Sequence, residues 1–131
     1  MRTYLFATVL AGCSTLALAA GPAVANKAGV FPHVDTIEAS VFRGDIVFKN
    51  YCILCHGVKA DGTGRAAKLY TPKPANLMLS DKNDAYKELI IRQGGAAIGR
   101  SEFMPPWDKE LTKEQIGDVV AYLHSINRAP R

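Results

Sequence analysis

The chain has 131 residues, enough for one domain of about 100–150 residues but not for two. Hydrophobic residues make up 48% and charged residues 21%, an ordinary globular balance that excludes a disordered, collagen-like or multi-span membrane protein. The net charge is +4, but the basic residues form no run of five or more, so we expect no nucleic-acid partner. Three cysteines are too few to indicate a disulfide scaffold.

The first 25 residues have the pattern of a cleavable signal peptide. Arg2 precedes an apolar stretch over residues 4–20, and Ala23-Val24-Ala25 supplies a small-x-small cleavage site. The sequence therefore predicts a signal peptide over residues 1–25, a flexible lead-in over 26–34, one domain over 35–131 and a periplasmic location. Two alternatives remain, namely an uncleaved membrane anchor and acylation at Cys13, which ends a Leu-Ala-Gly-Cys lipobox.

The first predicted helix begins at Asp35. This residue can cap it, with Glu38 completing a capping box. One face of the helix is marked by residues at spacings of four, three and four, which are Ile37, Val41, Gly44 and Phe48. Residues 57–75 are rich in Gly, Pro and Lys and predict a long loop, in which Gly62-Thr63-Gly64 is a turn rather than a phosphate-binding loop.

Two further helices follow in the second half of the chain. The sequence predicts a helix over residues 83–93, which ends at Gly94-Gly95. Residues 94–110 are again irregular. Thr112 and Gln115 predict a capping box at the last helix, and Leu111 and Ile116 a hydrophobic staple. Its apolar face comprises Ile116, Val119, Val120, Leu123 and Ile126. No segment alternates with period two, so we expect an all-α domain whose two long loops need an organiser.

Residues 52–56 read Cys-Ile-Leu-Cys-His and carry the chemistry. On a helix, Cys52, Cys55 and His56 share a face. Two thiols so spaced can meet the vinyl groups of one porphyrin while the imidazole reaches its iron, which is the c-type haem attachment pattern. A redox dithiol, a zinc site and a structural disulfide are weaker interpretations, because the βαβ context and a second Cys/His pair are missing.

The iron would have a sixth position, for which Met104 is the leading candidate. Pro105 disfavours helical geometry at Met104, so a loop can present its thioether to the haem. A thioether favours Fe(II) and raises the reduction potential. Weaker candidates are Met78, which we assign to core packing, and the histidines at positions 33 and 124, which we assign to the surface.

Residues 38–127 resemble a class I, single-haem c-type cytochrome. The resemblance comprises Gly44 and Phe48 before the attachment motif, Val119 and Tyr122 in the last helix, Asp-Gly-Thr-Gly at 61–64, Thr-Pro-Lys-Pro at 71–74, and Met-Pro at 104–105. It implies that the first and last helices cross and that the loops wrap one covalently attached haem. It also implies that a proline carbonyl, from Pro72 or Pro74, accepts a hydrogen bond from His56.

We therefore expect a periplasmic one-electron carrier that is not itself an enzyme. One haem c is held by Cys52 and Cys55, and its iron is bound by His56 and Met104.

The carrier is expected to be a monomer that meets redox proteins by transient docking, and to contact a membrane only if Cys13 is acylated. Tyr70 and Trp107 would either reach the haem propionates or pack on the porphyrin. A basic collar at the haem edge could comprise Lys49, Lys59, Lys68, Lys73 and Lys109. Alternatives are a gas-binding or gas-sensing haem protein, a cytochrome subunit of an oxidoreductase, and a thiol-disulfide oxidoreductase.

Overall fold

The computed structural model describes residues 36–130, so the predicted signal peptide, the lead-in, Cys13 and His33 lie outside the described residues. The helices are α1 (Ile37–Tyr51), α2 (Ile53–His56), α3 (Asp84–Gln93) and α4 (Lys113–Ser125). Single 3-10 turns occur at Ala67–Leu69, Leu77–Leu79 and Ala96–Ile98. The described residues contain no strand, which confirms the all-α prediction. They also contain no helix that is long and apolar enough to cross a bilayer.

The cap of α1 differs from the prediction. Thr36, not Asp35, is the N-cap, and its hydroxyl accepts a hydrogen bond from the Ala39 N–H at 3.2 Å. The third helical position is therefore alanine, so no capping box with Glu38 forms. The sequence analysis named only Asp35, but the adjacent Thr36 has an equally suitable side chain for capping.

The buried face of α1 is narrower than the predicted stripe. Gly44, Val47 and Phe48 are buried, whereas Ile37 in the first turn is 68% exposed. The predicted stripe is therefore correct in the second half of the helix and wrong at its start.

Helices α1 and α4 cross at Gly44. A Cβ atom on Gly44 would lie 1.9 Å from the Asp118 carbonyl oxygen and 2.8 Å from the Tyr122 Cβ. Only glycine permits this approach of the two backbones. One turn later, the rings of Phe48 and Tyr122 are 5.3 Å apart. The crossing predicted from Gly44, Phe48 and Tyr122 is confirmed.

An ion pair that sequence analysis missed flanks the crossing. Arg43 donates from Nε to Asp118 Oδ2 at 2.7 Å and from Nη2 to Oδ1 at 2.9 Å. The Asp118 side chain is buried, and the bidentate geometry satisfies both of its oxygens. The pair thus fixes α1 against α4 by a contact between residues far apart in the chain.

The other two long helices begin as predicted, and α3 also ends as predicted, whereas α4 ends at Ser125, one residue before the Ile126 of the predicted apolar face. Asn83 caps α3 by accepting from the Tyr86 N–H, and Gly94 ends it with φ +77°. The capping box of Thr112 and Gln115 is complete, with bonds of 2.9 and 3.2 Å. A single core joins the staple residues to the crossing and comprises Val47, Phe48, Ala60, Ile91, Leu111, Ile116, Val119 and Leu123.

Candidate haem site

The attachment motif directly follows the end of α1 at Tyr51. Cys52 caps the end of α1, with its N–H donating to the Phe48 carbonyl at 2.9 Å, and also begins α2. Within this turn the His56 N–H donates to the Cys52 carbonyl at 2.9 Å. Gly57 then ends α2 at φ +79°. The single turn brings both thiols and the imidazole to one cavity.

The two thiols are not joined in a disulfide, and both cysteines are partly buried. Burial, and to a smaller extent Cys55, raises the pKa of Cys52 to about 12. Cysteines that serve redox exchange have a lowered pKa, since the thiolate is the reactive form. The environment of Cys52 is therefore opposite to that of a redox dithiol.

The imidazole of His56 is fixed by a backbone carbonyl. Its Nδ1 donates to the Ala75 carbonyl oxygen at 3.1 Å, which leaves Nε2 with a lone pair for a metal. Burial lowers the pKa of His56, although the bond to Ala75 opposes this effect, so the neutral, metal-binding form is favoured.

The carbonyl acceptor corrects the prediction of Pro72 or Pro74. The loop passes so close that a Cβ on Gly62 would lie 2.5 Å from the Pro74 carbonyl oxygen, which therefore faces Gly62 instead. Gly62 has φ +82°, and its N–H donates to the His56 carbonyl at 2.8 Å. The path of the loop, rather than the presence of proline, decides which carbonyl reaches His56.

The loop after the motif is held against α2 by backbone contacts. The Gly64 N–H donates to the Cys55 carbonyl at 3.1 Å, and the Ala66 N–H donates to the Leu54 carbonyl at 3.0 Å. Where the sequence predicted a turn, the chain bends at Asp61 and Gly62, and the Thr63 N–H donates to the Asp61 carboxylate at 3.0 Å.

A cavity of about 540 Å³ adjoins the motif. Cys52, Cys55, His56 and Met104 all line it. Its other apolar and aromatic lining residues include Phe48, Tyr70, Leu77, Ile90, Ile91, Trp107, Val119 and Leu123. The structure thus brings together all four residues that the sequence assigned to haem binding.

Met104 and Met78 have different surroundings. The Met104 carbonyl accepts from the Gly95 N–H at 2.8 Å, and the Trp107 N–H donates to the Ile91 carbonyl at 2.9 Å, so this loop is tied to the end of α3. Met78 packs against the core and lines a separate hollow near Tyr122. These positions agree with our assignment of Met104 to the cavity and Met78 to packing.

Of the other residues that the sequence analysis singled out, some line the cavity and some do not. His124 is exposed, its Nδ1 bonds Asp84 at 2.8 Å, and it is not among the residues that line the cavity. Tyr70 and Trp107 both line the cavity. Of the five lysines of the suggested collar, Lys73 lines the cavity, whereas Lys49 pairs with Asp45 at 2.6 Å, which raises its pKa.

Sequence analysis missed three cationic side chains that line the cavity, Lys82, Lys87 and Arg100. Lys87 is buried on α3. It precedes Ile90 and Ile91 by three and four residues, and both also line the cavity, so helical spacing could have indicated Lys87.

The cavity fits a haem in size and in chemistry. Its volume lies within the roughly 300–1,000 Å³ of pockets that hold cofactors, and apolar side chains supply most of the lining. The two thiols could form thioether bonds to the vinyl groups of a c-type haem, and the Nε2 lone pair of His56 and the thioether of Met104 are both of the kinds that bind haem iron. The residues present therefore fit this group.

Comparisons with known proteins agree with the fit of this cavity to a haem. The family model for cytochrome c matches residues 41–127. A chain in the solved structure of the Kuenenia stuttgartiensis reducing HAO-like protein complex is 31% identical, with a TM-score of 0.54. The match covers 65% of this chain but 41% of that one, so this chain spans about two fifths of that chain's length. No curated protein matches the chain. From the family match over most of the described residues, we conclude that the chain belongs to the cytochrome c family, whose members transfer electrons with a haem iron.

Proposed function

We propose that the protein is a periplasmic one-electron carrier with one covalently bound haem c. Cys52 and Cys55 attach the haem, His56 is the proximal iron ligand and Met104 the distal one. The single observation that carries this proposal is that all four side chains line one cavity while Nδ1 of His56 is engaged by Ala75. The family implies haem-based electron transfer, and the four residue roles are our assignment.

Each residue has a distinct task. A bound haem supplies a one-electron Fe(III)/Fe(II) couple. The Ala75 carbonyl orients the His56 ring and increases its basicity as a ligand, since a hydrogen-bonded imidazole donates more strongly. Met104 supplies a soft sulfur that favours the reduced iron. Trp107 and Ile91, joined by a backbone hydrogen bond, place apolar surface beside the site and limit water there.

The rim of the cavity suits brief encounters with redox partners. Leu79 and Phe103 line the cavity and are 61% and 46% exposed. Lys73 and Lys82 also contribute to the lining. A small apolar area with nearby cations is compatible with an interface below about 1,200 Å², the range of transient redox complexes. We propose a monomer that docks in this way, with no nucleic-acid partner.

A second candidate function is that of a cytochrome subunit within a larger oxidoreductase. The similar chain from Kuenenia stuttgartiensis belongs to a reducing HAO-like protein complex, which favours this alternative. The haem site would be the same in both cases. The difference is whether one partner remains bound, which co-purification from the native source would reveal.

The experiment is expression of the full chain in a host with a periplasmic haem-attachment system. We expect a Soret band in the periplasmic fraction, an intact mass increased by one haem and reduced by residues 1–25, and haem that survives acidic acetone extraction. The Cys52→Ala/Cys55→Ala variant is the matched control and should lose the covalent haem. A parent protein without covalent haem, or with free reactive thiols, would contradict the proposal.

A further inference from the structure

Lys87 is a buried cation on the wall of the haem cavity. Its side chain is 8% exposed, although lysine almost never loses its contact with water unless it is paired. It lies on α3, one turn before Ile90 and Ile91, and all three line the cavity. An ammonium group in this position has a strong electrostatic effect, because nearby water is too scarce to screen it.

The charge of Lys87 is balanced by one carboxylate. Its Nζ donates to Asp84 Oδ1 at 3.0 Å, and the other carboxylate oxygen accepts from His124 Nδ1 at 2.8 Å. Burial raises the pKa of Asp84, but the hydrogen bonds from Lys87 and His124 outweigh it and lower the pKa overall. Asp84 is therefore ionised at neutral pH, and its half-exposed side chain places this negative charge farther towards solvent than Lys87.

The other charged groups on the cavity lining differ from Lys87 in exposure. They are Lys73, Asp81, Lys82 and Arg100, and none of them is buried. Lys82 pairs with Asp81 at 2.7 Å, with side-chain exposures of 41% and 78%. Arg100 is exposed and donates from Nε to the Tyr86 hydroxyl at 3.0 Å. Helix α4 contributes Val119 and Leu123, which carry no charge. Among the Lys, Arg, Asp and Glu side chains of residues 36–130 that line the cavity, Lys87 is thus the buried one.

We propose that Lys87 and Asp84 form an electrostatic pair that sets the reduction potential of the haem, with Lys87 stabilising the reduced state and Asp84 opposing it. This inference rests on the proposed function. Reduction removes one positive charge from the iron, so a nearby fixed cation favours the reduced form and a nearby anion the oxidised form. Because Lys87 is buried, dissolved salt screens its effect much less than that of the lysines at the rim.

The test is a set of potentiometric titrations of the haem-loaded protein at about pH 8, where imidazoles are mostly neutral. Lys87→Met keeps the length and removes the charge, and should lower the reduction potential. Asp84→Asn removes the opposing charge and should raise it. We expect each shift to approach a tenfold change in the Fe(III)/Fe(II) ratio at fixed potential, or ~59 mV for a one-electron couple. The double variant should lie between the two single variants.

The matched control is Lys82→Met, which removes a lysine from the same cavity but from a more exposed position. Its shift should be smaller than that of Lys87→Met and should fade as salt is raised, whereas the shift of Lys87→Met should persist. If Lys87→Met does not fold, Asp84→Asn still tests the proposal, because the Asp84 side chain is 47% exposed.

Opposite signs for the two single variants support the electrostatic pair. Shifts in the same direction would mean that both substitutions merely loosen the cavity and would overturn the proposal, as would an unchanged potential in either variant. A parent protein that carries no haem would overturn the proposed function and this inference with it. A haem-loaded parent whose variants do not shift would overturn the inference alone.

Discussion

The α1–α4 crossing and the proposed haem cavity differ in how tightly the protein packs: the crossing leaves no free space, whereas the cavity is a large one. At the crossing, the backbones approach so closely that Gly44 has no room for a Cβ atom, and the buried Asp118 carboxylate has both oxygens engaged. At the cavity, loops and helix faces surround about 540 Å³. The first region is specified by protein contacts, whereas the walls of the second gain much of their contact area from the proposed haem. The two regions should therefore respond differently to loss of the cofactor and to substitutions.

The largest effect is expected from Cys52→Ala/Cys55→Ala. Without the thioether bonds, the segments that surround the cavity lose the surface on which they pack. We expect a less helical and less heat-resistant protein by circular dichroism. Amide hydrogen exchange should increase more in residues 57–82 and 94–110 than in α1 and α4. A variant as helical and as heat-resistant as the parent would show that the haem is not the organiser of these loops.

Gly44→Ala tests the close approach of α1 and α4 directly. A methyl group 1.9 Å from the Asp118 carbonyl oxygen cannot be accommodated without moving α4, so we expect a loss of about 3 kcal/mol or more in the free energy of unfolding. Gly117→Ala is the control, since a Cβ there meets no atom within 4 Å. It should be neutral or should stabilise α4 by up to about 1 kcal/mol in the same denaturant titration. Equal effects of the two substitutions would contradict the crossing geometry.

Sequence reasoning succeeded where the determinants are local. The capping box of Thr112 and Gln115, the end of α3 at Gly94 and the attachment motif each lie within a few residues, and the structure contains all three elements. The prediction of Asp35 as the cap of α1 was wrong, because the adjacent Thr36 offers the same capping chemistry and takes that position.

The features that depend on the three-dimensional path of the chain were not predictable from local patterns. The bond from His56 to Ala75 spans 19 residues, and the Arg43–Asp118 pair spans 75. Burial of Lys87 arises from the position of α3 beside the cavity, whereas a lysine is ordinarily expected to be exposed. The proposed attachment residues Cys52, Cys55 and His56 were recognisable because covalent haem attachment requires that fixed spacing.

Asp118→Asn should weaken the crossing less than Gly44→Ala does. It replaces one acceptor oxygen by an amide group that cannot accept from Arg43, and it does so at a buried site. We expect a loss of about 1–3 kcal/mol in the free energy of unfolding. Glu88→Gln is the control, because Glu88 and Arg92 form an exposed pair at 3.4 Å that is worth about 0.5 kcal/mol or less. A smaller loss for Asp118→Asn than for the control would contradict the role of the buried pair.

The smallest effect concerns Asp84 and pH. Because the pKa of Asp84 is lower in the folded protein than its ordinary value of 3.8, the carboxylate stabilises the fold above that value. The contribution is lost as pH falls through the lowered pKa. The side chain is 47% exposed, so we expect less than about 1 kcal/mol. The difference in free energy of unfolding between parent and Asp84→Asn should shrink as the pH is lowered below 3.8. A difference that grows on acidification would reverse the assigned sign.

The central claim, that Met104 completes the haem site while Met78 belongs to the core, is tested most directly by the visible spectra of Met104→Ala and Met78→Ala. Both variants should retain covalent haem, since Cys52, Cys55 and His56 are unchanged. Met104→Ala should lose the weak methionine-to-iron charge-transfer band of the oxidised protein, bind CO readily and have a lower reduction potential. Met78→Ala should keep the band. If Met78→Ala abolishes the band while Met104→Ala keeps it, or if the parent protein already binds CO readily, the assignment of Met104 as distal ligand is wrong.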